Sequence, residues 1–145
     1  MSIIGYTTGV FDLFHIGHLN ILKRAKTNCD RLIVGVTTDE LCVSRKGYKP
    51  FICFDERLEI ISSLKYVDEA VPQSSMDKFE AWEKHKFNQM YVGDDWKGTD
   101  AWNKIEEDFK AVDVKVVYFP YTVKTSSTIL RKALVNLNAG VPHER

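Results

Sequence analysis

Residues 3–22 read IIGYTTGVFDLFHIGHLNIL. The run at 3–8 is short, apolar and β-prone, and it ends at Gly9. From His18 onward, apolar residues recur at helix spacing, at Leu19, Leu22 and Ala25. The stretch therefore predicts a strand that passes through a turn into a helix, with His15 and His18 at the junction.

The rest of the chain alternates in the same way. Apolar or β-prone runs predict strands at 31–37, at 67–71 (closed by Pro72), at 89–92 and at 114–119. Helix-start signals or helical spacing lie between and after them, at 38–40, 54–64, 77–86, 99–111 and 125–128. This alternation predicts an α/β fold, a Rossmann-like parallel five-stranded sheet with helices on both faces and right-handed crossovers.

The chain has 145 residues, which suits one domain. We predict a single domain over 1–137 and a short C-terminal tail over 138–145, because Gly140 and Pro142 end the last helical pattern. The net charge is zero, and no apolar run reaches membrane-spanning length. The N-terminus lacks the basic region of a signal peptide, and the three cysteines lack CxxC spacing. We therefore expect a cytoplasmic protein that binds neither nucleic acid nor membrane.

In such sheets, ligands bind beyond the carboxyl ends of the strands. Four segments fall there, at 9–18, 37–49, 93–98 and 120–128. They are also the segments richest in His, Lys, Asp, Ser and Thr. The topology alone therefore predicts a polar site at this edge of the sheet.

The histidine pair suits a phosphate-bearing ligand. Residues three apart share a helix face, and a helix N-terminus attracts anions. Gly17 removes a side chain where a phosphate comes close. The alternatives are a helix cap, a core histidine or a zinc ligand, although zinc-binding pairs usually read HxxxH and need a third ligand.

The quoted stretch resembles the HxGH signature of the nucleotidyltransferases that join a nucleoside triphosphate to a phosphate-bearing alcohol. The segments TTDE, ERLEII, YVDEAVP, VGDDWKG and TSSTILRK follow in the order seen in the bacterial glycerol-3-phosphate cytidylyltransferases. The resemblance runs from Ile4 to about Leu134. It implies transfer of CMP from CTP to a small phosphorylated alcohol, first of all glycerol 3-phosphate, by direct in-line attack that releases pyrophosphate. The product, CDP-glycerol, would by analogy feed wall or capsule polymer synthesis.

The resemblance also assigns roles to residues. It implies catalytic roles for His15, His18 and Lys46. Nucleotide binding is expected from Thr8, Gly9, Phe11, Gly17, Asp94, Trp96, Thr125, Ser126, Ser127 and Thr128. Acceptor binding is expected from Asp12, Lys49, Arg57 and Lys124. No side chain is assigned as a metal ligand, because Mg²⁺ is expected to be held mainly by the nucleotide phosphates.

Each of these assignments has a structural alternative. Asp12 and the hydroxyls at 125–128 could be helix caps, and Trp96 could be a core residue beside a turn. Lys46 and Lys49 lie in SRKGYKP, which also reads as a solvated basic loop. Arg57 could form a surface ion pair with Asp55 or Glu59.

The resemblance further implies a homodimer. Weak support comes from aromatic residues that need not all fit one small core, namely Phe51, Phe54, Trp82 and Trp102.

The chain departs from the family before its last helix. Where the cytidylyltransferases carry RTEGIST, Tyr121 replaces the arginine and Lys124 the glycine. Phosphoethanolamine, phosphocholine, another polyol phosphate or a sugar phosphate therefore remain open as acceptors. An adenylyltransferase that uses ATP on FMN or a similar phosphate is the alternative enzyme, and a non-catalytic nucleotide-binding module is the alternative outside enzymes.

Overall fold

The computed structural model describes residues 2–120 and 126–139. Tyr121, Lys124, Thr125 and most of the predicted tail lie outside these ranges. In chain order the elements are β1 (Ile4–Gly9), α1 (Ile16–Thr27), β2 (Arg31–Thr37), α2 (Asp39–Lys46), α3 (Phe54–Ser62), β3 (Glu69–Gln73), α4 (Lys78–His85), β4 (Gln89–Gly93), α5 (Asp100–Lys110), β5 (Lys115–Phe119) and α6 (Ser127–Ala139). One 3₁₀ turn, Asp94–Trp96, follows β4.

The five strands form one parallel sheet in the order β3-β2-β1-β4-β5. The predicted fold class is confirmed. The strand order reverses at β1, which has β2 on one side and β4 on the other. A crevice opens at the carboxyl ends of the strands at such a switch point, which is where doubly wound sheets bind ligands.

Helices cover both faces of the sheet. One core cluster brings Leu22 and Ala25 of α1 and Ile61 of α3 against β2. The other brings Trp102 and Phe109 of α5 against Tyr6 and Ile33 on the opposite face. Every residue of β2 after Arg31 is buried, as its continuous apolar run predicts.

The structure corrects the third strand, which was predicted to end before Pro72. It runs from Glu69 to Gln73, and Pro72 lies inside it opposite Val36. The Gln73 carbonyl accepts from the Thr38 N–H, so Gln73 faces β2 and its neighbour Pro72 faces the open side. An edge strand tolerates proline there because no ladder donor is lost.

Three of the four aromatic residues that suggested a dimer belong to the core. Trp102 is buried, whereas Phe54 and Trp82 are partly buried and pack against the two clusters. Phe51 is 41% exposed. The homodimer therefore stays a prediction with less support from the sequence. In the described ranges, none of the helices combines the length and apolar character that crossing a membrane requires.

Candidate active site

A cavity of about 490 Å³ opens at the carboxyl ends of the central strands. All four of the predicted segments contribute to its wall. The predicted site residues that line it are Thr8, Gly9, Phe11, Asp12, His15, Gly17, His18, Lys46, Trp96, Ser126, Ser127 and Thr128.

The turn between β1 and α1 is tightly wound. Phe11 and Leu13 have φ values of 55° and 52°, in the left-handed region that L-residues rarely adopt. The Phe11 ring folds back over the end of β1, where a Cβ on Gly9 would lie 2.9 Å from it. Gly9 therefore lets this ring pack into the core while it lines the cavity.

The histidines cap α1 through their Nδ1 atoms. His15 is the N-cap itself, outside the helix, and its Nδ1 accepts from the Gly17 N–H at 3.0 Å. The Nδ1 of His18 accepts from the His15 N–H at 3.3 Å. This reciprocal pair is a capping box made of imidazoles. The helix cap that the sequence left open as an alternative is present, with His15 just outside the helix and His18 in its first turn. The two rings stack with centroids 3.9 Å apart.

The caps leave both Nε2 atoms facing the cavity. Because each Nδ1 accepts a hydrogen bond, each neutral ring carries its proton on Nε2. Both Nε2 atoms lie 3.3 Å from the Ser127 Oγ, and the Ser127 hydroxyl donates to the Asp12 carbonyl at 2.7 Å. Ser127 therefore accepts two N–H groups, and the two imidazoles converge on one oxygen.

Burial keeps these imidazoles neutral. It lowers the pKa of His18 to about 4, with a further decrease from neighbouring His15 and an opposing effect of Asp12. Burial also lowers the pKa of His15. At pH 7 the pair therefore offers two uncharged donors in fixed positions, which suits an oxygen that gains negative charge.

Asp12 holds the α2–α3 segment, defined here as residues 47–53. Its carboxylate accepts from the backbone N–H groups of Phe51 and Ile52, both at 2.9 Å, and lies 3.5 Å from the Arg131 Nη1. These contacts leave the carboxylate buried at the cavity wall. Asp12 therefore holds the α2–α3 segment in place. Neither the predicted acceptor binding nor the alternative of a helix cap included this role.

Arg57 is placed beneath the site. Its side chain is fully buried, and it donates to the carbonyls of Ile52, Val10 and Thr37 at 2.7–2.8 Å. Its ion pair is with Asp39, at 2.7 Å, so the alternative of a surface pair with Asp55 or Glu59 is wrong. Arg57 is not among the described residues that line the cavity, and it joins the ends of β1, β2 and the α2–α3 segment instead.

Comparisons with known proteins identify the family of this chain. Residues 6–133 match the cytidylyltransferase-like family model. The chain belongs to this family.

Two curated relatives and one solved structure are similar to this cytidylyltransferase-like chain over most of its length. The glycerol-3-phosphate cytidylyltransferase of Bacillus spizizenii is 36% identical, over 90% of this chain and 96% of the relative. The FAD synthase of Thermococcus sibiricus is 34% identical, over 87% and 88%. The crystal structure of the lipopolysaccharide core biosynthesis protein from Thermoplasma volcanium superimposes with a TM-score of 0.70 at 28% identity, over 86% of this chain and all of that one.

Several predicted site residues of this cytidylyltransferase-like chain lie in surroundings that differ from those predicted. Lys46 lines the cavity but is the last residue of α2, so the predicted basic loop is helical up to this point. Lys49 and Asp94 are exposed and lie outside the described cavity lining. Ser126 accepts from the Ile129 N–H at 3.1 Å, so one of the clustered hydroxyls does cap α6.

Two arginines on the cavity wall were not predicted, Arg24 and Arg131. Helix spacing could have found both. Arg24 follows Gly17 by seven residues, and Arg131 follows Ser127 by four, which places each on the cavity-facing side of its helix.

Proposed function

We propose that the chain transfers CMP from CTP to sn-glycerol 3-phosphate and forms CDP-glycerol and pyrophosphate. An oxygen of the acceptor phosphate forms a bond to the α-phosphorus. The bond from that phosphorus to the oxygen bridging to the β-phosphorus breaks, and pyrophosphate leaves with the electron pair. The observation that carries the proposal is the convergence of two neutral Nε2–H groups beside the start of α6.

The described residues supply positioning and charge stabilisation. When the substrates bind, the Nε2–H groups of His15 and His18 exchange the Ser127 oxygen for phosphoryl oxygens, on which negative charge grows in the transition state. Ser126, Ser127 and Thr128, with the free N–H groups at the start of α6, receive the outer phosphates. Lys46 adds a cation at the rim. Thr8, Gly9 and Trp96 line the same cavity, and the proposal assigns them to the nucleoside.

No protein nucleophile is needed. The Ser127 hydroxyl donates to a backbone carbonyl and accepts from both histidines, so no base is placed to remove its proton. The three cysteines are absent from the described cavity lining. Direct transfer between the two substrates agrees with this arrangement.

Mg²⁺ would accompany CTP and be held by phosphate oxygens and water. In the described ranges, no group of three His, Cys, Asp or Glu side chains could hold a metal ion. Among the described residues that line the cavity, Asp12 alone carries a carboxylate, and its oxygens face the Phe51 and Ile52 N–H groups. The side chains therefore do not fit a dedicated metal cage, and no step is derived through the ion.

A second candidate is an adenylyltransferase that uses ATP and FMN. It is favoured by the FAD synthase relative, whose identity to this chain is only slightly lower than that of the Bacillus protein. Nothing in the described cavity wall supports FMN over a small polyol phosphate.

Pyrophosphate release tests these candidates directly. The purified chain is incubated with Mg²⁺, with CTP or ATP, and with glycerol 3-phosphate, phosphoethanolamine, phosphocholine or FMN. Release with CTP and glycerol 3-phosphate is the expected result. Release only with ATP and FMN would establish the second candidate, release with CTP and another acceptor would change the substrate, and nucleotide binding without release would indicate a non-catalytic module.

We further propose a cytoplasmic homodimer on the family resemblance. Sedimentation equilibrium of the full chain tests the oligomeric state, and a monomer at micromolar concentration would contradict it.

A further inference from the structure

The last helix, α6, carries an apolar stripe along one face. Its apolar residues recur at positions i, i+1, i+4, i+5 and i+8, which is the pattern of a helix face that packs against another element. None of them is among the described residues that line the cavity. The residues of this stripe are Ile129, Leu130, Ala133, Leu134 and Leu137.

Most of this stripe is open to solvent. Ile129 is 59% exposed, Leu134 is 37% exposed and Leu137 is 64% exposed. Val135, on the other side of the same helix, is 51% exposed. Neither core cluster includes a described residue of α6. The stripe therefore has the pattern of a buried helix face without the packing of one, which points to a partner outside the described fold.

The exposed apolar surface continues from α6 onto the α2–α3 segment. Arg131 joins the two elements, because its guanidinium carbon lies 3.6 Å from the centroid of the Tyr48 ring and 4.6 Å from that of Phe51. Both of these rings are themselves exposed. We call the combined surface the α6 patch, and its residues are Tyr48, Phe51, Ile129, Leu134, Val135 and Leu137.

The α6 patch has the size that a stable protein–protein contact needs. From their exposed fractions, its six side chains offer on the order of 500 Å² to solvent, in the upper part of the range of about 300–600 Å² for the largest apolar patch of a monomer. A standard interface takes about 800 Å² from each partner, and a little over half of that area is apolar. The patch therefore supplies the apolar area of one partner.

The charges around the patch favour a second copy of this chain as that partner. Lys132 is exposed on α6, a helix without acidic residues. Glu56 and Glu59 are exposed on α3, which begins just after Phe51. The patch thus has a basic margin on α6 and an acidic margin on α3. A two-fold axis near Phe51, between the margins, would place each margin against its opposite on the other copy.

We propose that the α6 patch is the surface through which two copies of this chain associate. The α6 helix of each copy packs against the α2–α3 segment and the start of α3 of the other copy. The net charge of zero adds no long-range repulsion between the copies. The inference rests on the proposed homodimer, to which it assigns a surface, and it is independent of the proposed reaction.

The test measures the dimer dissociation constant of the full chain by sedimentation equilibrium over a range of micromolar concentrations. One variant combines L134E and L137E, which place carboxylates in the stripe. The matched control is A101E, which adds a carboxylate at an exposed alanine of α5. Circular dichroism and thermal unfolding establish that each variant is folded.

We expect the wild type to be a dimer and the variant with L134E and L137E to raise the dissociation constant at least ~100-fold, because association would bury unpaired carboxylates. The variant should remain folded, since both side chains are exposed in the single chain. A101E should match the wild type.

Reversing the charged margins tests the two-fold arrangement. K132E should weaken the dimer about 10-fold, because it sets like charges against each other across the interface. Adding E56K and E59K to K132E should restore the wild-type dissociation constant, since both margins are then reversed together. Failure of the added changes to restore it would overturn the proposed pairing of α6 with α3.

Two further results would overturn the proposal. A wild-type chain that is monomeric at micromolar concentration would overturn both this inference and the proposed homodimer. A wild-type dimer whose dissociation constant is unchanged by L134E and L137E would overturn this inference alone, because the copies would then associate through another surface. Sedimentation requires no turnover, so failure of the proposed reaction is distinguishable from either result.

Discussion

At the scale of the residue, the histidine pair combines two roles, helix cap and donor to the cavity, that the sequence analysis treats as alternatives. Each ring uses Nδ1 to cap α1 and keeps Nε2 for the cavity. The cap sets the tautomer, and the tautomer makes Nε2 a donor. The motif predicts that the pair matters, but this division between the two nitrogens depends on the N-cap geometry, which spacing does not specify.

His18→Ala should lower kcat at least ~100-fold, because it removes a preorganised donor from the transition state. The loss of its cap on the His15 N–H should cost only about 1 kcal/mol of stability, so the variant should fold. Pyrophosphate release and thermal unfolding measure both effects. His85→Ala is the matched control, since His85 lies on α4 outside the described cavity lining. Near-native turnover in folded His18→Ala would contradict a catalytic role.

The pKa of His18 also predicts how stability depends on pH. It is about 4 in the folded chain and near 6.5 in the unfolded chain. Above pH 6.5 both states hold a neutral ring. As pH falls from 6.5 towards 4, the unfolded chain takes up a proton that the folded chain does not, so the free energy of unfolding should fall by up to about 3 kcal/mol.

Urea unfolding at pH 7, 6, 5 and 4 measures this slope. His18→Gln should show a shallower decrease than the wild type over the same range. Parallel curves for the two proteins would mean that His18 titrates normally in the folded chain.

Lys46→Ala should mainly weaken productive binding of the triphosphate. The loss of one charge-assisted contact predicts a rise of about 10- to 100-fold in the KM for CTP. Lys104→Ala removes an exposed lysine on α5 and is the control. If Lys46→Ala has wild-type kinetics at limiting CTP, Lys46 is a solvated lysine that does not contact the triphosphate.

At the scale of the element, the sequence predicted correctly those strands whose bounds depend on their own residues. It failed where the bounds depend on the assembled sheet. The bounds of β2 were predicted to the residue, because a buried parallel strand has a continuous apolar run. The third strand was misjudged because tolerance of Pro72 depends on which side of the strand faces another strand. That is a property of the assembled sheet.

The surroundings of Arg57 show the same limit. Its position on α3 was predicted, but its partners come from the residue after β1, from β2, from α2 and from the α2–α3 segment. Local sequence offered Asp55 and Glu59 as partners, and the fold instead buries the guanidinium among distant carbonyls. Such convergence requires the tertiary structure.

Arg57→Ala should therefore destabilise the fold by about 3–5 kcal/mol, because it leaves buried carbonyls and Asp39 without their donor. Arg31→Ala is the matched control, since its ion pair with Glu69 is about half exposed and should contribute less than about 1 kcal/mol. Chemical denaturation measures both variants. Equal losses of unfolding free energy in the two variants would contradict this structural role of Arg57.

At the scale of the whole molecule, the strand order decides where the chemistry lies. The alternation of strands and helices was enough to predict which edge of the sheet carries the site. The contact of Asp12 with Arg131 joins residues 119 positions apart, and a single sequence gives no sign of it. Family resemblance supplied the roles of the motif residues, whereas the side chains that hold the motifs together emerged only from the fold.

At the same scale, Pro72 protects the edge of the sheet against aggregation. The outermost strand of an open sheet offers unpaired donors to any strand of another copy, which is a route to aggregation. Proline removes one of these donors on the open side of β3. Pro72→Val should restore it and raise the rate of concentration-dependent light scattering under mild heating, whereas unchanged scattering would show that other surfaces limit aggregation. Association of copies by strand addition at this edge is thus disfavoured, so a dimer of this chain would form through another surface.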